Sequence, residues 1–223
     1  MVFKAVTGSY KENVWEVYKS ELPFAEYITE ALDVTAKHNG LYKNRLVSEH
    51  HWQMFHPSKV RVAVYKSASL VKKAEFDGTA STPYNWFSPE RYSVKESSWW
   101  DVKYERKNFF SIYGKCNHRP ACRHFYMSRQ WSNCADTGWL MITEGMACHW
   151  ETAPIAHFRK IIYSKRRGIF AHFNVGIIGG TTSHLNDRGR NNNPPTRETC
   201  KIFLTPFLTM IGRNKVMSLH QIK

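Results

Sequence analysis

Four of the chain's five cysteines, Cys116, Cys122, Cys134 and Cys148, fall within 33 residues. Whatever joins them limits the fold more than any other feature of the sequence. A zinc site gathers its ligands from C-x2–4-C pairs. Here five residues separate Cys116 from Cys122 and thirteen separate Cys134 from Cys148, so neither spacing fits, although Cys116, His118, Cys122 and His124 form a Cys2His2 set in principle. A redox C-x-x-C pair is absent. Disulfides remain. Four cysteines allow three connectivities; the reading favours Cys134–Cys148, then Cys116–Cys122. A β-hairpin brings opposed Cα atoms to about 5.5 Å, a distance a disulfide accepts. Closing such a loop stabilises by about 3 kcal/mol in the chain-entropy account. No metal ion and no cofactor are expected, and Cys200 is left over.

The segments around these cysteines read as strands. Val60-Arg-Val-Ala-Val-Tyr65 alternates and is β-branched, Ser67-Ala-Ser69 reads as a turn, and Leu70–Phe76 returns as a second strand. Asp77-Gly78 is a turn pair. Further strand candidates are Trp99–Val102, Phe109–Tyr113, His124–Met127, Gly138–Thr143 and Lys160–Tyr163. Many short strands between turn residues predict an all-β fold, an antiparallel β-sandwich or jelly roll. The N-terminal segment is less regular: Val14, Trp15, Val17, Tyr18 and Leu22 fit a short helix or an irregular strand, and Ala25–His38 allows a helical turn or two.

One domain is expected over residues 1–178, with its core at about 42–178. After Gly176 the sequence turns polar and rich in Gly, Asn and Pro. Residues 179–223 are expected to be an irregular tail, flexible or mispredicted; a docked terminal strand is the alternative for the apolar run Ile202–Ile211, which Pro206 interrupts.

Disulfides imply an oxidising compartment, so an extracellular location is expected. The opening MVFKAVTGSYKENVWEVYKS has no apolar signal region, and the expectation is therefore a chain whose leader is missing. No stretch reaches the roughly 18 apolar residues of a membrane helix. The 32 basic and 18 acidic residues leave a net charge of +14. Such a charge attracts nucleic acid, acidic glycans or anionic surfaces, but its bland reading is a solvated surface, because the basic residues are spread out. Lys165-Arg166-Arg167 is the one compact basic run.

The segments VRVAVYKSASLVKKAEFDGTASTPYNWFSPERY, SSWWDV, FFSIYG, CRHFYM and CADTGWLMITEGMACHWE resemble a module of secreted proteins in molluscs and other invertebrates. Its most specific features are Phe76-Asp-Gly78, Asn85-Trp-Phe-Ser88, Cys134-x-x-x-Gly-Trp-Leu and Cys148-x-Trp-Glu151. The resemblance implies an extracellular β module. It ends after Phe173-Asn-Val-Gly176, where a last apolar strand is expected and polar sequence follows. At fold level the pattern is similar to galactose-binding-like jelly rolls, an analogy that carries no function.

Three functions compete. The favoured one is a non-enzymatic binding or adhesion module whose partner is an acidic glycan or a matrix component. Exposed Trp would stack on sugar and basic groups would hold the acid, with Trp86, Trp99, Trp100, Arg91, Arg119 and Arg123 as candidates. Against this, a Trp within strand sequence is more often core. Adjacent Trp99 and Trp100 on a strand point to opposite faces, which makes that pair the strongest candidate. The second is nucleic-acid binding, suggested by charge and by Lys103–Phe110, where basic and aromatic residues interleave. The third is hydrolysis, from Asp136, His149 and Glu151 or from His50, His51 and His56; no Gly-x-Ser-x-Gly or His-Glu-x-x-His pattern supports it.

Overall fold

A computed structural model describes residues 1–6, 12–33, 40–102, 107–118, 121–130, 134–145, 148, 159–166, 168–173, 178–179 and 200–207. Its strands are β1 (Phe3–Val6), β2 (Tyr42–Lys43), β3 (Lys59–Lys66), β4 (Ser69–Asp77), β5 (Phe109–Ser111), β6 (Lys115–His118), β7 (Ala121–Gln130), β8 (Thr137–Glu144), β9 (Lys160–Ser164), β10 (Ala171–His172), β11 (Ile178–Gly179) and β12 (Cys200–Phe207). Helices α1 (Val14–Lys19) and α2 (Glu49–Phe55) are short. The fold is all-β: every ladder joining these strands is antiparallel.

The first sheet runs β2-β1-β12-β3-β4. Its β3–β4 hairpin follows the alternation in the sequence. Val60 and Val62 are buried with Phe76 and Ala74, their partners in register, and Val64, opposite Lys72, is buried on the same face. The two-residue loop puts Ser67 at φ 48° and Ala68 at φ 65°. Left-handed backbone of this kind suits Asn-Gly and strains residues with a Cβ. Replacing Ser67-Ala68 by Asn-Gly is expected to stabilise the protein by about 1 kcal/mol and to raise the Tm by about 2–4 °C in a thermal melt.

β12 lies beyond residue 178, where sequence patterning put the domain's edge. It pairs with β3 over its whole length and with β1 from Lys201 to Leu204. Pro206 stands past the last residue matched to β1, so the strand has a single neighbour there and tolerates a missing N–H.

The second sheet runs β11-β9-β8-β7-β5; β10 continues the β9 side of β8, and β6 continues the β5 side of β7. Every residue of β8 is buried. One face joins the main core through Leu140 and Ile142, with Phe125, Met127, Ile161 and Tyr163. The opposite face is covered by Tyr126, Met141, Ile162, Ala171 and Phe173. That main core includes residues of both sheets, joined by rings: Phe3 meets Phe125 at 5.7 Å, Phe76 meets Phe110 at 6.4 Å, and Phe110 meets Trp139 at 5.8 Å. Burial of each large apolar side chain stabilises by about 1.5–3 kcal/mol, so the aromatic content serves chiefly to fill this core.

A buried charge cluster fastens the N-terminal segment to the second sheet. The Glu144 carboxylate accepts from Arg159 Nε at 2.8 Å, from the Val14 amide at 3.1 Å and from Asn13 Nδ2 at 2.5 Å, while His124 Nε2 lies 3.3 Å away. Asn13 caps α1, accepting from the amides of Trp15 and Glu16. Arg159 also donates to the carbonyls of Val6 and Glu12. Buried charges of this kind persist only when every partner is present.

Both disulfides are present. Cys116–Cys122 bridges directly opposed residues of β6 and β7, with Cα atoms 4.1 Å apart. Cys134–Cys148 joins the chain segments that precede and follow β8, with Cα atoms 5.3 Å apart.

Candidate functional site

The edge strand β4 decides where the tryptophan pair goes. An unpaired edge leaves backbone groups open; here the chain from Tyr92 to Ser98 covers it. Ser97 Oγ and Ser98 Oγ each accept from a β4 amide, Glu75 and Lys73 respectively, at 2.8 Å. The amides of Ser93 and Ser98 donate back to the carbonyls of Glu75 and Lys73. The covering segment ends at Trp99 and Trp100. Sequence alternation predicts a strand over Trp99–Val102, but the structure has one isolated bridge, Trp99 to Gly168.

The two rings part company. Trp99 is fully buried and donates Nε1 to the Ser164 carbonyl at 3.3 Å. Trp100 is 52% exposed. Its amide and that of Asp101 both donate to the Gly168 carbonyl, at 2.8 and 3.0 Å. Asp101 locks the junction by accepting from Trp139 Nε1 at 2.6 Å and from the Phe170 amide at 2.9 Å. Gly168, at φ +74°, admits the indole: a Cβ there would stand 2.0 Å from the Trp100 ring. The result is a fixed tryptophan, one part seated on Gly168 and the rest open to solvent.

Basic residues shortly precede the glycine that seats this ring. Lys165 and Arg166 are exposed on the turn that leads to Gly168. Lys72 Nζ donates to the Arg166 carbonyl at 3.1 Å and lies 5.8 Å from the Trp99 ring centre. Burial lowers the Lys72 pKa. Arg129 stacks on Phe170 at 4.3 Å. An aromatic surface beside exposed basic side chains is the arrangement that holds an anionic, ring-containing ligand.

The other candidates lie elsewhere. Arg91 is half-buried and donates to the carbonyls of Asp77 and Thr79, at the far end of β4 from Trp100. Trp86 is fully buried, its Nε1 donating to Tyr18 Oη and to the Pro83 carbonyl. Arg123 is 2% exposed and pairs with Asp136 at 2.6 Å. Trp86, Trp99 and Arg123 therefore offer no surface to a ligand; two fill the core, and the third neutralises a buried carboxylate. Arg119 lies outside the described residues, as do Lys103–Arg106, His149 and Glu151. Of the residues read as hydrolytic, Asp136 has its carboxylate engaged by Arg123 and Tyr126. His51 contacts Ser48 Oγ at 2.7 Å, at the start of α2, and His56 ends that helix in left-handed backbone. Among the described residues no three His, Cys, Asp or Glu side chains are placed to hold a metal ion.

The seating of Trp100 on Gly168 is invisible in the sequence, where 68 positions separate the two; only the compact basic run before that glycine stands out. No helix of the described residues is long and apolar enough to cross a membrane. Comparison with protein-family models, curated proteins and solved structures finds no match.

Proposed function

We propose that the protein is a non-enzymatic extracellular binding module for an acidic glycan or matrix component, and that Trp100 with Lys72, Lys165 and Arg166 forms the contact surface. The observation that carries this reading is the Trp100 indole, seated on Gly168 and left half-open, with the exposed Lys165 and Arg166 shortly before that glycine in the chain. A ring held in place loses little freedom on binding, and a pyranose presents an apolar face to stack on it. The two disulfides support an oxidising location.

The test is a glycan array that includes sulfated polymers, with a lysine-rich protein of equal net charge as control. Retention above that control is expected. Trp100→Ala should lower affinity about ten-fold, as loss of a central aromatic contact does. Gly168→Ala, whose Cβ would displace the indole, should lower it similarly without altering charge. Retention no better than the control sinks the reading. Tighter binding to single-stranded DNA, with a steep salt dependence, would turn it toward nucleic acid.

A further inference from the structure

Each disulfide joins a half-buried cysteine to a buried one, and what sets Cys134–Cys148 apart is the cation at its buried sulfur. Cys148 is buried, and Arg123 Nη2 donates to its Sγ at 3.0 Å. The same guanidinium holds Asp136, whose other oxygen accepts from Tyr126 Oη at 2.9 Å. Lys115 is within electrostatic reach of both Asp136 and Arg123. The Cys148 sulfur thus shares the Arg123 guanidinium with the Asp136 carboxylate. Cys134 is only half-buried, is followed by the exposed Ala135, and holds φ +81°, a left-handed conformation that strains a residue with a Cβ. The two cysteines are unequal: Cys134 is the more exposed, and Cys148 is buried with its sulfur against a cation.

From this asymmetry we infer that Cys134–Cys148 is an exchange-labile disulfide, opened by attack of an external thiolate on Cys134. The attacking sulfur bonds to Cys134 Sγ, the Cys134–Cys148 bond breaks, and its electron pair leaves on Cys148 as a thiolate facing the Arg123 guanidinium. If the attacking molecule is a dithiol, its second thiolate then displaces Cys134. The protein gains two electrons, the dithiol becomes a disulfide, and two protons pass from the reductant's thiols to the protein's sulfurs or to solvent. A cation beside a sulfur stabilises the thiolate, and a better-stabilised thiolate leaves faster. Relief of the strained Cys134 backbone favours the open form. Opening would release the clasp across β8, the strand buried on both faces.

The inference is tested on the intact chain with graded dithiothreitol, alkylation of freed thiols and peptide mapping. Cys134 and Cys148 should be alkylated at least about ten-fold faster than Cys116 and Cys122. With glutathione in place of dithiothreitol, the trapped mixed disulfide should map to Cys134. Arg123→Gln should slow opening about ten-fold, and Arg123→Lys should restore most of the rate. Because Arg123→Gln leaves Asp136 buried without its cation, Arg123→Gln combined with Asp136→Asn keeps the test readable if the single variant fails to fold. Equal rates for the two disulfides, glutathione on Cys148, or an unchanged rate in folded Arg123→Gln, alone or combined with Asp136→Asn, would each overturn the inference.

Discussion

Replacing Glu144 by alanine should destabilise the protein by about 3–5 kcal/mol, the range for removing one partner of a buried ion pair. The reason is what remains. Arg159 is 2% exposed and would keep a buried guanidinium without its counter-charge, while the Val14 amide would lose its acceptor. At roughly 2–4 °C per kcal/mol for a chain of this size, the Tm should fall by about 6–20 °C. A thermal melt or urea titration of Glu144→Ala measures it, and a loss below about 1 kcal/mol would show that the cluster does not fasten the N-terminal segment. The same residue gives a pH dependence. Burial by itself would raise the Glu144 pKa, but the His124 contact and Arg159 outweigh that and hold it below the usual 4.5. A carboxyl depressed in the folded state contributes stability above its unfolded pKa and loses it as pH falls through the lower folded value. The wild type should therefore weaken below about pH 4.5, and Glu144→Gln should be less stable at pH 7 but flatter with pH. Other carboxyls are held low as well, Glu26, Asp77 and Glu96 among them, so the difference between the two curves is the quantity that isolates Glu144.

The parts of this fold that the sequence made legible are those whose pattern is local. The β3–β4 hairpin shows as alternation around a two-residue turn, and β8 and β9 show as short apolar runs bounded by polar residues. The disulfides followed from cysteine spacing, with zinc and redox motifs set aside for lack of their signatures. What stayed hidden is non-local. β1 is four residues long, too short to declare a period, and is recognisable only beside β12, whose run is broken by Pro206 and arrives about 200 residues later. α2 (Glu49–Phe55) carries two histidines and a single buried residue, Trp52, which gives no helical stripe. Charged residues default to the surface, so nothing local announces that Lys4, Lys43, Glu144 and Arg159 are buried. The candidate site divides along the same line. The pair Trp99-Trp100 stood out because adjacent residues on extended chain face opposite ways, but which ring is open depends on the glycine after β9 that seats Trp100.

Gly114→Ala is expected to be as damaging as the loss of Glu144, through backbone rather than charge. Here the chain passes from β5 to β6 while both pair with β7, and it makes the step at φ +72°. An L-residue in that conformation costs about 1–2 kcal/mol by itself. Space adds more: a Cβ at Gly114 would lie 1.6 Å from the Arg123 carbonyl oxygen and 2.6 Å from its carbon. Those atoms belong to β7 and cannot swing aside as a side-chain end could, so the turn must lift from the sheet. Lifting it strains three contacts together: the Tyr113 carbonyl with His124 Nδ1 at 2.7 Å, the Phe125 amide with the Ile112 carbonyl at 3.0 Å, and the Cys116–Cys122 register. The first positions the ring that faces Glu144, so damage at the turn reaches the buried cluster. A loss above about 3 kcal/mol is expected, because strain and overpacking add. Hydrogen exchange at Phe125 should accelerate, and combining Gly114→Ala with Glu144→Gln should cost less than the sum of the two, since they weaken one network. Strict additivity would mean that the turn and the charge cluster stand independently.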